Sequence, residues 1–116
     1  MTAIATPLPE DIQAVRDGVV DFAKAEVLPR HAAHREMLEN PRKLFREDGR
    51  ICDEALALVR EVRMASAKAG FYSMSVPEGL GGAGFGMLAY YVCWEELFRT
   101  CGPANWLMLY AISHWA

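Results

Sequence analysis

Gly79-Leu80-Gly81-Gly82-Ala83-Gly84 spells G-x-G-x-x-G, a spacing that can wrap backbone amides around a pyrophosphate at the start of a helix. The chemistry would be dinucleotide binding. That fingerprint also needs a full strand before it, a second strand after the helix, and an acidic residue about 20 positions further on. Here Pro77 interrupts the strand, Glu95 and Glu96 come too early, and no second strand pattern follows. The loop is therefore expected to be a structural turn. Glu95 and Glu96 suggest a paired acid and base, but adjacent helical residues point about 100° apart and do not share a site. One is expected to be solvated and the other to form a surface or interdomain ion pair, with Arg99 within reach. His31, His34 and His114 are scattered, with no H-E-x-x-H, so no metal site is expected. Cys52, Cys93 and Cys101 are odd in number and contain no C-x-x-C. Their expected role is that of small, reduced, apolar residues, which points to the cytoplasm.

One further stretch carries possible chemistry. Residues 98–112 combine Phe98, Asn105, Trp106, Met108, Leu109, Ala111 and Ile112. Two readings stand: plain core, or the wall of a cavity for an alkyl or aryl chain. In such a cavity each buried CH₂ is worth about 0.8 kcal/mol.

The elements that must position these residues read as helices. Pro7 and Pro9 prepare a helix start, after a flexible lead over residues 1–8, and Glu10 and Asp11 suit its first turn. Ile12, Val15, Val19, Phe22, Ala23 and Val27 recur at helical spacing, predicting a helix from Pro9 to Leu28 that Pro29 ends. Gly18 inside it is costly, which suggests a close helix contact. His31 to Asn40 fits a short helix closed by Asn40-Pro41, and residues 41–49 fit a helical turn or a loop equally well. Arg50 to Ala69 is predicted as the second long helix, with Cys52, Ala55, Leu56, Val59, Val62, Ala65 and Ala69 as its apolar stripe and Gly70 at C′. Phe71 to Val76 is expected to cross the core as a short extended passage. Gly86 to Cys101 is the third long helix, burying Met87, Tyr90, Tyr91, Trp94, Leu97 and Phe98 and ended by Gly102-Pro103. Ala104 to Ala116 begins a fourth. The class is all-α: a bundle of about four to six helices with one Gly-rich loop.

Composition agrees with one domain over residues 1–116. The 116 residues are 53% hydrophobic and 23% charged, with net charge −3. This balance gives no reason to expect nucleic acid or an anionic membrane surface as partner. The start, MTAIATPLPED, lacks the pattern of a signal peptide, and the apolar run from Trp106 to Ile112 is too short to span a bilayer.

Val76-Pro77-Glu78, then Gly81, Gly82 and Gly84, then a helix running to Glu95-Glu96-Leu97, resembles the N-terminal helical domain of acyl-CoA dehydrogenases. Val20-Asp21-Phe22-Ala23 with Glu26 and Pro29 is similar to that family's first helix. The resemblance runs from about Pro9 to Ala116. It implies a flavoenzyme that removes the α and β hydrogens of an acyl-CoA thioester, a base taking the α proton while FAD accepts hydride. It implies that the Gly-rich loop is structural and that flavin binds elsewhere. The family's base is a glutamate of the C-terminal domain, so neither Glu95 nor Glu96 corresponds to it. The helix after E-E-L runs past the acyl chain in this family, which makes Asn105, Leu109 and Ala111 the substrate-binding candidates here.

The family's β-domain and C-terminal helical domain, which carry the flavin, the base and the dimer or tetramer interface, have no counterpart in these residues. Together with the apolar pattern running into Trp115-Ala116, this leads to the expectation that the chain is a fragment of a longer protein, or that a partner covers its apolar end. On this reading the 116-residue chain alone holds no flavin tightly and turns over nothing. The alternatives within the superfamily are an acyl-CoA oxidase and a flavin-dependent monooxygenase. A non-catalytic helical interaction module is the alternative outside it.

Overall fold

The computed structural model describes residues 7–114, and the parts of the expected lead and fourth helix at residues 1–6 and 115–116 lie outside them. Pro9 opens the first helix by offering its carbonyl to the Gln13 amide at 3.0 Å, and α1 spans Glu10–Phe22. Ile12, Val15, Val19 and Phe22 are buried, as their spacing predicts, and so are Ala23 and Val27 beyond α1.

Pro29 does not end this helix. The path continues through a π-helical turn at Ala23–Val27 into α2, Leu28–Ala33. A proline inside an α-helix lacks the donor for the i−4 carbonyl and its ring clashes with it. The wider π turn relieves both: Leu28 N–H reaches back to the Ala23 carbonyl, and Pro29 falls in the first turn of α2, where no donor is required. His34 breaks the path, and α3 follows at Arg35–Leu38. Asn40 then caps α4, Pro41–Leu44, its Oδ1 accepting from Arg42 N at 3.1 Å.

The second long helix, α5, spans Asp53–Ala69 and so starts three residues later than its periodicity suggests. The preceding backbone is engaged elsewhere: Arg46 N donates to Arg50 O at 2.7 Å, Cys52 N donates to Leu44 O at 2.9 Å, and Phe45 and Ile51 form an isolated bridge. No β-strand occurs among the described residues. Gly70 ends α5 at φ 89°, the left-handed C′ position expected of it. The buried face of α5 differs from the expected stripe. Leu58 and Ser66 are buried beside Ala55, Val59 and Val62, while Leu56 is 48% exposed and Ala69 faces solvent. Phe71 to Val76 is a run of turns rather than an extended passage. Met74 N donates to Phe71 O and Val76 N to Ser73 O, and the tight path drops Met74 fully into the core.

The third long helix, α6, spans Gly86–Cys101 and stops at Gly102, φ 84°. It is turned about its axis relative to the expected face. Ala89, Cys93, Trp94 and Leu97 are buried, whereas Met87, Tyr91 and Phe98 are 41%, 64% and 43% exposed. Small side chains at 89 and 93 let α6 lie close against α1, its principal neighbour, and that proximity outweighs the larger hydrophobes.

The fourth helix is replaced by a single 3₁₀ turn at Leu107–Tyr110. Its backbone groups bond partly to side chains of the same segment and partly to other parts of the fold. Asn105 Oδ1 takes Met108 N at 3.2 Å, His114 Nε2 sits 2.9 Å from Leu109 O, and Ser113 N donates to Tyr72 O at 2.8 Å. The Ala111 carbonyl accepts from Ser66 Oγ. Leu107, Met108, Ala111 and Ile112 thereby enter the same core as α1, α5 and α6.

Candidate functional site

The Gly-rich loop closes on itself. Leu80 and Gly82 amides donate to Pro77 O, Gly81 to Glu78 O, Ala83 to Ser73 O, Gly84 to Val76 O and Phe85 to Met74 O. A Cβ at Gly82 would overlap the Val76 carbonyl, and one at Gly84 would lie 2.9 Å from Glu78 Cγ. Gly82 is required for close backbone approach, and the amides of Leu80 to Phe85 are already bonded within the protein. A pyrophosphate cradle needs free, converging amides, so this loop does not fit the phosphates of a dinucleotide or of FAD. The structural-turn expectation matches this geometry.

Glu95 and Glu96 both pair with Arg99, at 2.8 and 3.0 Å, on the surface of α6. These are i,i+4 and i,i+3 contacts of the kind that stabilise a helix modestly. Burial raises the Cys93 thiol from 9.0 to about 11, against a smaller opposing pull from Arg16, and raises Cys101 from 9.0 to about 11. Both thiols stay protonated near neutrality and are poor nucleophiles there. Tyr110 is also pushed up by burial, with Arg63 opposing; the Arg63 guanidinium lies 4.9 Å from the ring centroid. Its hydroxyl is no base at neutral pH. Among the described residues no cluster of His, Cys, Asp or Glu could hold a metal ion.

The segment after α6 presents a different picture. Asn105 and Leu109 line one concavity of about 460 Å³. Leu38 and Glu39, at the end of α3, and Trp106 line it as well. Trp106 is braced edge-on by Tyr110, ring centroids 5.0 Å apart. Asn105 is 3% exposed and spends its carbonyl oxygen on Met108 N. Ala111 lies outside this lining, 1% exposed, with its carbonyl bound to Ser66. Leu38 and Glu39 were not visible as site residues from the sequence. They lie far from 103–109 along the chain, and the fold brings them to the same concavity.

A second, smaller groove of about 270 Å³ runs along the outer face of α6 between Tyr90, Tyr91, Trp94, Phe98, Leu109 and His114. His114 stacks on Trp94 at 5.1 Å and 10°. Leu109 therefore separates two concavities, one with polar groups in its wall and one almost wholly aromatic.

Residues 49–115 match the family model described as acyl-CoA dehydrogenase, N-terminal domain. The mitochondrial short-chain specific acyl-CoA dehydrogenase of Sus scrofa is 30% identical over 101 residues, covering 87% of this chain and 20% of that protein. A probable acyl-CoA dehydrogenase of Bacillus subtilis strain 168, YngJ, is 29% identical over 107 residues, 91% of this chain and 23% of its own length. The CarC subunit of the caffeyl-CoA reductase-Etf complex of Acetobacterium woodii is 34% identical over 53 residues, 46% of this chain and 14% of that protein. The chain thus spans at most about a quarter of the length of these relatives. No solved structure matches it.

Proposed function

The chain belongs to the acyl-CoA dehydrogenase family, as its N-terminal helical domain, and from that premise we propose that it supplies one wall of an acyl pocket in a flavin-dependent enzyme. The reaction would be α,β-dehydrogenation of an acyl-CoA thioester. The observation that carries this reading is the convergence of Asn105 and Leu109 on one concavity immediately after the E-E-L helix. A half-buried leucine and a braced tryptophan suit an alkyl or aryl chain, since burial of apolar surface is the main source of affinity for it.

FAD would be held by chain beyond these residues. The amides of Leu80 to Phe85 in the glycine loop are already bonded within the protein, and no step of the reaction is assigned to side chains here. The exposed face of α6, with Leu88 at 52% and Tyr91 at 64%, supports a second duty in packing against the remaining domains of the parent chain.

The test is turnover by the flavin-loaded protein that carries this domain. Oxidation of an acyl-CoA series with an artificial electron acceptor is expected, and the chain-length optimum is expected to move when Leu109 is enlarged. Absence of oxidation across saturated, branched and aryl-bearing thioesters would refute the assignment.

A further inference from the structure

Arg63 is an exposed residue of α5, one helical turn before Ser66, and both reach the segment after α6. Ser66 Oγ donates to the Ala111 carbonyl inside the core. The Arg63 guanidinium stands over the ring next to it in the chain, 4.9 Å from the Tyr110 centroid. Buried Val59 and Val62 seat α5 in the core, so both groups are offered from a fixed element. The charge of Arg63 is felt at the Tyr110 hydroxyl too, where it opposes the rise that burial causes. Tyr110 passes the constraint on: its ring meets that of Trp106 at 5.0 Å and 68°. A T-shaped pair complements the two ring quadrupoles, and a cation over a ring face is attracted by the same quadrupole. Arg63, Tyr110 and Trp106 therefore form one chain of directional contacts.

Trp106 lines the larger concavity, whereas α5 contributes none of the residues that line it. The indole is half-buried, so enclosure in the core does not lock its rotamer, and the contacts of its ring decide where it stands. We propose that Arg63 and Tyr110 are positioning residues for the pocket. Acting through Tyr110, Arg63 holds the Trp106 indole in the pocket wall and so sets how well the site takes acyl chains long enough to reach it. Without the guanidinium, a long chain must order the indole as it binds, and preorganisation is lost. A chain that stops short of Trp106 is unaffected. The proposal rests on the acyl-pocket reading and adds to it a determinant of chain length that lies outside the pocket.

The experiment uses the flavin-loaded protein that carries this domain and a series of straight-chain acyl thioesters. Arg63→Met keeps the apolar stem of the side chain and removes its charge. It is expected to raise KM about two- to fivefold for the long thioesters, the range of a cation–π contact, with kcat and the short thioesters unchanged. Tyr110→Leu is expected to give the same pattern, and Tyr110→Phe, which keeps the ring, the wild-type one. With fluorotryptophan incorporated, the fluorine NMR resonance of Trp106 is identified by its loss in Trp106→Phe. That resonance is expected to shift in Arg63→Met while the Trp94 resonance stays in place. An unmoved Trp106 resonance, wild-type KM values across the series, or a KM rise equal at every length overturns the proposal while the acyl-pocket reading stands. Oxidation of no thioester in the series by wild type removes both.

Discussion

The hydroxyl of Ser66, midway along the core-facing side of α5, donates to the carbonyl of Ala111, and both residues are fully enclosed. This contact fixes the segment after α6 against α5 and is one reason that segment cannot continue as a helix. Replacing Ser66 by alanine leaves the Ala111 carbonyl buried without a donor. The expected loss is about 1–3 kcal/mol of unfolding free energy. Urea titration of Ser66→Ala against wild type measures it, and an unchanged midpoint would show that the bond contributes nothing.

Gly82 and Gly79 sit in the same loop but face different constraints. A Cβ at 82 meets backbone at Val76, which has no freedom to move aside, whereas a Cβ at 79 meets nothing within 4 Å. Gly82→Ala is expected to open the loop, speeding hydrogen exchange at the Ala83, Gly84 and Phe85 amides, whose acceptors lie at 73, 76 and 74. Gly79→Ala is expected to leave exchange unchanged and to be neutral or stabilising by up to about 1 kcal/mol through the unfolded chain. Equal exchange in the two variants would contradict the packing account of this loop.

Gly18 was expected to mark a close helix contact, and its partner is instead Phe71, in the turn after α5. A Cβ there would lie 2.9 Å from Phe71 Cζ, in a ring that also packs on Phe22 at 5.8 Å. Alanine gains about 1 kcal/mol of helix propensity over glycine, while overpacking costs typically about 1–3 kcal/mol. Gly18→Ala is therefore expected to be neutral to destabilising in wild type and clearly stabilising in a Phe71→Leu background. A double-mutant cycle in urea reads the coupling; additivity would mean that the ring moves aside freely.

The thiols give a pH dependence. Cys93 and Cys101 are raised from 9.0 to about 11 in the fold. Above pH 9 the unfolded chain releases these protons while the folded chain keeps them. Stability from this source is thus complete below pH 9 and falls as pH rises through 11. Thermal unfolding of wild type is expected to fall more steeply over that window than that of Cys93→Ala. Parallel slopes would show that burial at Cys93 does not disfavour the thiolate.

What could be read from the residues was whatever local chemistry decides. Gly70 and Gly102 end their helices, and the stripe from Ile12 to Val27 is buried throughout. The all-α class followed from these. The failures came where distant groups compete with local preference. Pro29 is absorbed by a π turn, Leu56 yields its place on the buried face to Leu58 and Ser66, and the apolar run after Asn105 makes only a 3₁₀ turn and gives Ser113 N to Tyr72 and the Ala111 carbonyl to Ser66. The candidate site was half visible for the same reason. Asn105 and Leu109 lie together in the chain, whereas Glu39 reaches them only through the fold.

Leu109 is the point at which the proposed pocket can be tuned without disturbing the core. It is half-buried and borders both concavities, unlike Leu107 and Met108, which are wholly enclosed. A larger side chain at 109 therefore has open space to enter and should leave stability nearly intact. Leu109→Phe fills room otherwise open to the acyl chain. Each methylene excluded removes about 0.8 kcal/mol of burial, a factor of about four in kcat/KM. Long-chain thioesters are expected to lose about that much per excluded carbon while short ones keep their rate, so the optimum moves to shorter chains. Steady-state kinetics over a chain-length series, with a matched melting curve, checks this. A uniform loss at every length would mean that residue 109 acts on folding or domain packing rather than on pocket depth.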